Sequence, residues 1–142
     1  MNGFGASAYR KVGIESQVLA ADPHKLVLIL FDGALNAIDL GRAHIAAGNL
    51  AGKTRAISKA IEIVDEGLRV SVDRKAGGEL GDRLVQLYNF TTMRLLQANL
   101  RNDVAALDEA RRILAGLREA WARIAPSPTA ARPRESAALY AN

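Results

Sequence analysis

Apolar residues recur along most of this chain at steps of three and four, and Gly, Pro, Asn and Asp cut the runs into four long segments between two less regular ends. Asp22-Pro23 announces the first, with Asp as an N-cap and Pro at the first helical position, where its missing N–H costs nothing. The helix is predicted to run to about Ala47 and to stop at Gly48. Its polar stripe is narrow: Lys25, Asp32, Asn36 and Asp39 lie near one line, while Leu26, Val27, Leu30, Phe31, Leu35 and Ile38 cover much of the remaining circumference. A helix so apolar is either central to a bundle or partly uncovered for a partner.

A second helix is predicted from about Leu50 to Asp73. Ile57, Ile61, Val64 and Leu68 form one core stripe, and Ala56, Ala60, Ile63, Gly67 and Val70 run beside it with smaller side chains. The second stripe makes a shallow channel, filled either by a neighbouring helix of the same chain or by a partner. Arg74-Lys75-Ala76-Gly77-Gly78 breaks the pattern and Glu79 opens a third helix, whose buried face is assigned to Leu80, Leu84, Leu87, Tyr88, Leu95, Leu96 and Leu100. Asn102 or Asp103 caps the fourth, which carries Leu107, Ala110, Leu114, Leu117, Trp121 and Ile124 and ends before Pro126.

Helices of about 20 to 25 residues span roughly 30 to 37 Å, so the four match in length. Short connections make neighbours antiparallel. The expected fold is therefore all-α, an antiparallel up-down four-helix bundle over residues 22–125, with an N-terminal lead or lid over 1–21 and a tail over 126–142, rich in Pro, Ala and Ser and expected to be disordered.

Composition narrows the function. With 142 residues, 49% of them apolar and only 5% aromatic, the chain is sized for one domain with a core of Leu, Ile, Val and Ala. The absence of cysteine excludes disulfides, thiolate metal sites and cysteine nucleophiles. No apolar run is long enough to cross a bilayer, so a cytoplasmic protein without membrane insertion is expected. The net charge of +4 raises the question of nucleic acid, but basic residues alternate with acidic ones and no block of five like charges occurs. Nucleic acid is not an expected partner.

Catalytic uses of a helical bundle fail on the residues. A di-iron site needs Glu-x-x-His, and Ala21 and Gly41 stand three residues before His24 and His44. Neither histidine sits mid-helix with a lysine one turn on, as phosphotransfer would require. Gly77-Gly78-Glu79 follows a helix rather than a strand and has no Gly-Lys-Ser/Thr after it, so it reads as a turn and not a phosphate loop. No Ser/His/Asp set is evident. No enzyme, metal or cofactor is expected. A binding module remains, suited to helix-in-groove recognition, with the lead as a cover for its apolar surface.

Tyr9-x-x-Val12-x-x-Glu15-Ser16, Ala21-Asp22-Pro23-His24-Lys25-Leu26-Val27 and Leu30-Phe31-Asp32-Gly33-Ala34 resemble the opening of the bacterial flagellin-specific export chaperones. The likeness continues in order through Lys59-Ala60-Ile61, Gly67-Leu68, Gly77-Gly78-Glu79-Leu80, Leu87-Tyr88, Arg94-Leu95-Leu96, Ala98-Asn99-Leu100 and Leu117-Arg118-x-Ala120-Trp121. Where relatives often read Leu-Tyr-x-Tyr-Met, this chain reads Leu87-Tyr88-Asn89-Phe90-Thr91. The tail after Ala125 matches nothing in the pattern.

The resemblance implies a cytosolic bundle that binds the C-terminal segment of flagellin, keeps it from polymerising and delivers it to the flagellar type III export gate, with no nucleotide or metal. On that footing Ile57, Ile63, Gly67 and Val70 are expected in the flagellin groove, with ordinary core as the alternative for Ile57 and Leu68. In the lead, Tyr9 matches a tyrosine that the resemblance links to docking on the export gate protein. Tyr9, Val12 and Ile14 are thus candidates for gate docking or for a lid contact. The other function considered is a generic protein-binding regulator.

Overall fold

A computed structural model of the chain describes residues 22–72 and 74–124, with the side chains of 74–76 outside the description. The lead candidates Tyr9, Val12 and Ile14, and the tail, lie outside the described residues.

The described residues form four helices joined by short turns: α1 spans Pro23–Ala47, α2 Leu50–Ile63, α3 Arg74–Arg101 and α4 Val104–Arg123. Each start has a local cause. The Asp22 carboxylate accepts from the Lys25 backbone N–H, Asn49 caps α2 through the Gly52 N–H, and Asp103 caps α4 through the Ala106 N–H. α1 stops at Gly48 in the left-handed conformation (φ 74°), whose N–H returns to the last carbonyls. At the α3–α4 corner Asn102 takes the left-handed turn (φ 53°).

Two departures from the expected helices occur at one end of the bundle. α2 passes into a π-helical turn, Val64–Leu68, and the chain leaves the helix there rather than at Asp73. The Ser71 hydroxyl donates to the Leu68 carbonyl and closes that end. α3 starts a turn earlier than Glu79 but is interrupted at Gly78 (φ 56°, ψ −130°), a conformation that a Cβ disfavours; its regular part begins at Glu79.

Each helix packs on its neighbours in sequence, and α1 closes the ring against α4. Antiparallel register is fixed by side chains. Along the α1–α4 seam Arg118, Arg111 and Arg42 make two-pronged bonds to Asp32, Asp39 and Asp108, with first contacts of 2.6, 2.7 and 2.9 Å. Each step forward along α1 is matched by an equal step back along α4. Lys53, only 6% exposed, reaches from the start of α2 to the Asn99 carbonyl in the last turn of α3 at 2.6 Å, where the negative end of the helix dipole favours a cation. The core is Leu, Ile, Val and Ala around Phe31 and Tyr88.

Candidate binding cleft

Both stripes of α2 point inward. Ile57 and Ile63 have no exposed surface and belong to the core, as does Leu68, while Gly67 is buried in the π turn. The small-residue channel is filled within the bundle, because α1 flanks α2 on one side and α3 on the other. Val70 alone of the four positions remains exposed, at 45%. The π turn explains its direction: an extra residue per turn shifts the phase of the residues after it, so Val70 falls off the buried arc.

Open apolar surface lies elsewhere. A cleft of 560 Å³ opens at the end of the bundle where α2 leaves the helix and α3 is interrupted. α1 contributes Val27 and Phe31, the segment after the π turn Ser71 and Val72, α3 Leu80, Leu84 and Tyr88, and α4 Leu117 and Trp121, with Ile124 just beyond its end. Gly77 and Gly81 also line it, and the lack of side chains there leaves it wide. At the same end, the His24 ring stacks on Trp121 (centroids 4.9 Å apart, 17° between planes) and ties the first turn of α1 to the last turn of α4.

Tyr88 is the polar residue set deepest among the cleft's side chains. It is 5% exposed, its ring packs at 6.5 Å from Phe31, and burial pushes its phenol up to about 12. The cleft is therefore an uncharged apolar surface with one deep hydroxyl.

A second apolar surface runs down the outer side of α3. Phe90, Met93, Leu96 and Leu100 are 37, 47, 47 and 81% exposed, on the face opposite Val85, Tyr88, Thr91, Leu95 and Ala98, which are buried. The leucine pattern assigns Leu80, Leu96 and Leu100 to the buried face, and the structure corrects this. Leu96 and Leu100 step out of phase with the buried series 85, 88, 91, 95, 98, and Leu80 sits in the turn just after the Gly78 break, at the cleft's edge. The phase of the leucines was the available signal. Thr91 is fully buried and donates to the Leu87 carbonyl at 2.8 Å, which accounts for a small hydroxyl residue at that core position.

The densest basic cluster, Arg111, Arg112, Arg118 and Arg123, is largely neutralised. Arg111 and Arg118 are held by Asp39 and Asp32, and Arg123 lies 3.4 Å from Glu119. Among the described residues there is no group of three His, Cys, Asp or Glu side chains placed to hold a metal ion, and no helix long and apolar enough to cross a membrane.

An all-α bundle with an apolar cleft at one end and a separate apolar face along α3 presents surface suited to binding protein rather than to catalysis. The comparisons name the kind. Residues 5–128 match the family model described as "Flagellar protein FliS", and the chain belongs to that family. It is 44% identical over 122 residues to the flagellar secretion chaperone FliS of Salmonella typhimurium, covering 86% of this chain and 90% of that one. The FliS chaperone of Escherichia coli K12 is 42% identical over 125 residues (88% and 92% covered), and that of Vibrio cholerae 37% over 119 (84% and 87%).

Proposed function

We propose that this protein is a flagellar export chaperone of the bacterial cytosol: it binds the C-terminal segment of flagellin, prevents premature polymerisation and hands the client to the export gate. The observation that carries the reading is the placement of two apolar surfaces, the cleft and the outer face of α3, on different sides of one bundle. A single helix docked in one groove needs only one of them. A long segment that wraps the bundle uses both, and ordering on binding is offset by the large area it buries. The family's name, and relatives named as secretion chaperones, support a secreted client. Neutralisation of the basic run argues against nucleic acid as the ligand. Client contact is assigned to the cleft and the α3 face, with Val70 as the second-helix position available to it, and Tyr9, Val12 and Ile14 keep the role of lid or gate docking.

The test is co-purification of the full chain with flagellin, intact and lacking its C-terminal segment. A one-to-one complex with intact flagellin alone is expected. Equal recovery of both forms, or of neither, removes the reading.

A further inference from the structure

Among the described residues that line the cleft, one side-chain hydroxyl is uncommitted. Ser71, the other hydroxyl in its lining, already donates to the Leu68 carbonyl at 2.7 Å. Tyr88 has no hydrogen-bond partner among the described residues, yet its oxygen is not sealed: the fully sealed side-chain atom left without a partner there is Oδ1 of Asn99, in the last turn of α3 at the far end of the bundle. The Tyr88 ring is thus gripped in the core against Phe31, and the residue lines the cleft. A hydroxyl open to the cleft is satisfied by water until a ligand fills the space. An apolar segment that fills the cleft removes the water, and a hydroxyl then left without a partner would weaken binding.

We propose that Tyr88 is a specificity-determining residue of the cleft, donating a hydrogen bond to an acceptor on the docked client segment and so fixing which stretch docks and in what register. This rests on the chaperone reading above and adds to it a requirement on the client: its apolar face is interrupted by an acceptor. Inside a helix the backbone carbonyls are already engaged, so the acceptor is a carbonyl of the segment's last turn or a Ser, Thr, Asn or Gln side chain. Burial keeps the phenol neutral up to about pH 12, so it is a donor at any physiological pH. A ring held in the core directs that donor more narrowly than a surface side chain does.

The sign of one substitution decides. Tyr88→Phe keeps the ring and its packing on Phe31 and removes only the hydroxyl. Calorimetric titration of the full chain with intact flagellin is expected to show binding weakened about 5- to 30-fold, the range of one hydrogen bond made in a dry site, with an unchanged melting temperature. Replacing the polar residues of the flagellin segment one at a time by Ala or Val then identifies the acceptor, whose loss weakens the unaltered chaperone but not Tyr88→Phe. If the acceptor is a carbonyl, the same signature comes from an ester in place of the peptide bond in a synthetic segment. Binding that is unchanged or tighter with Tyr88→Phe overturns the inference, because removing an unpaired hydroxyl helps. Should the unaltered chain not bind flagellin at all, the chaperone reading fails and takes this inference with it. The two failures are therefore distinguishable.

Discussion

His24 and Trp121, 97 residues apart, bond to each other twice: Nε2 of His24 to the Trp121 carbonyl and the Trp121 indole N–H to the His24 carbonyl, both at 2.9 Å. A carbonyl only accepts, so Nε2 of His24 carries the proton. The pair joins the two helices that the chain does not otherwise connect in sequence. Trp121→Phe keeps an aromatic ring and deletes one of the two bonds, and is expected to cost about 1 kcal/mol. His24→Ala removes the other bond and the stacked ring, and is expected to cost more. Urea unfolding of the two single variants and the double checks both values, with the double costing less than the sum because the bonds share one contact. Trp121 is the chain's only tryptophan and lines the cleft, so its emission also reports occupancy there.

Burial of Tyr88 makes stability depend on alkaline pH. The folded phenol titrates at about 12, above the usual 10, so above pH 10 the folded state holds a proton that the unfolded state has lost. The stabilisation is complete below pH 10 and is lost as pH rises toward 12. At about 1.4 kcal/mol per unit it amounts to about 3 kcal/mol. Denaturant midpoints between pH 9 and 12 should fall more steeply for the unaltered chain than for Tyr88→Phe.

Gly41 and Gly116 predict opposite results for one chemical change. A Cβ on Gly41 would lie 2.9 Å from Cγ1 of Ile57, a side chain with no exposed surface and no room to move. Gly41→Ala is expected to cost about 1 to 3 kcal/mol. Gly116, exposed in the middle of α4, has nothing within 4 Å of such an atom. Gly116→Ala is expected to gain about 1 kcal/mol from helix propensity. Thermal melts of the two variants should move in opposite directions.

The Arg–Asp pairs on the α1–α4 seam set register more than they add stability. Arg111 and Asp39 are 41 and 49% exposed, so water screens them. Asp39→Asn is expected to cost less than about 1 kcal/mol, and less again in 1 M salt. A larger loss that persists in salt would contradict this.

Ile63→Asp and Leu80→Asp separate core from client surface. The first puts a carboxylate where no surface is exposed and is expected to unfold the bundle. At Leu80, 66% exposed on the cleft's edge, the same change should leave helical content and melting temperature intact and weaken flagellin binding at least tenfold. Circular dichroism and titration together read both outcomes. Folded Ile63→Asp would return the α2 stripe to the candidate surface.

Helix boundaries were legible because capping is local. Asp22-Pro23, Gly48 and Asp103 each act on backbone groups within a few residues, and each lies where the chain's own pattern put it. The candidate surface was harder to read. Periodicity tells that Ile57 and Ile63 share a side of α2 without telling how wide the buried arc is, and that width depends on α1 and α3 standing on either flank. The π turn has no marker in Val64-Asp65-Glu66-Gly67-Leu68, and it redirects Val70. The cleft is assembled from four separate parts of the chain, so no single stretch announces it.

Because the described chain enters at Asp22 and leaves at Ile124 beside the cleft, and His24 already fastens those ends together, the fold is nearly a closed loop. Its start and finish are therefore interchangeable in principle: a short peptide joining 124 to 22, with new ends opened at the Asn102 corner, would keep the packing of every helix. A dye or tag attached at either end of the helical unit would sit at the mouth of the cleft, whereas one at the Asn102 corner would leave that mouth clear.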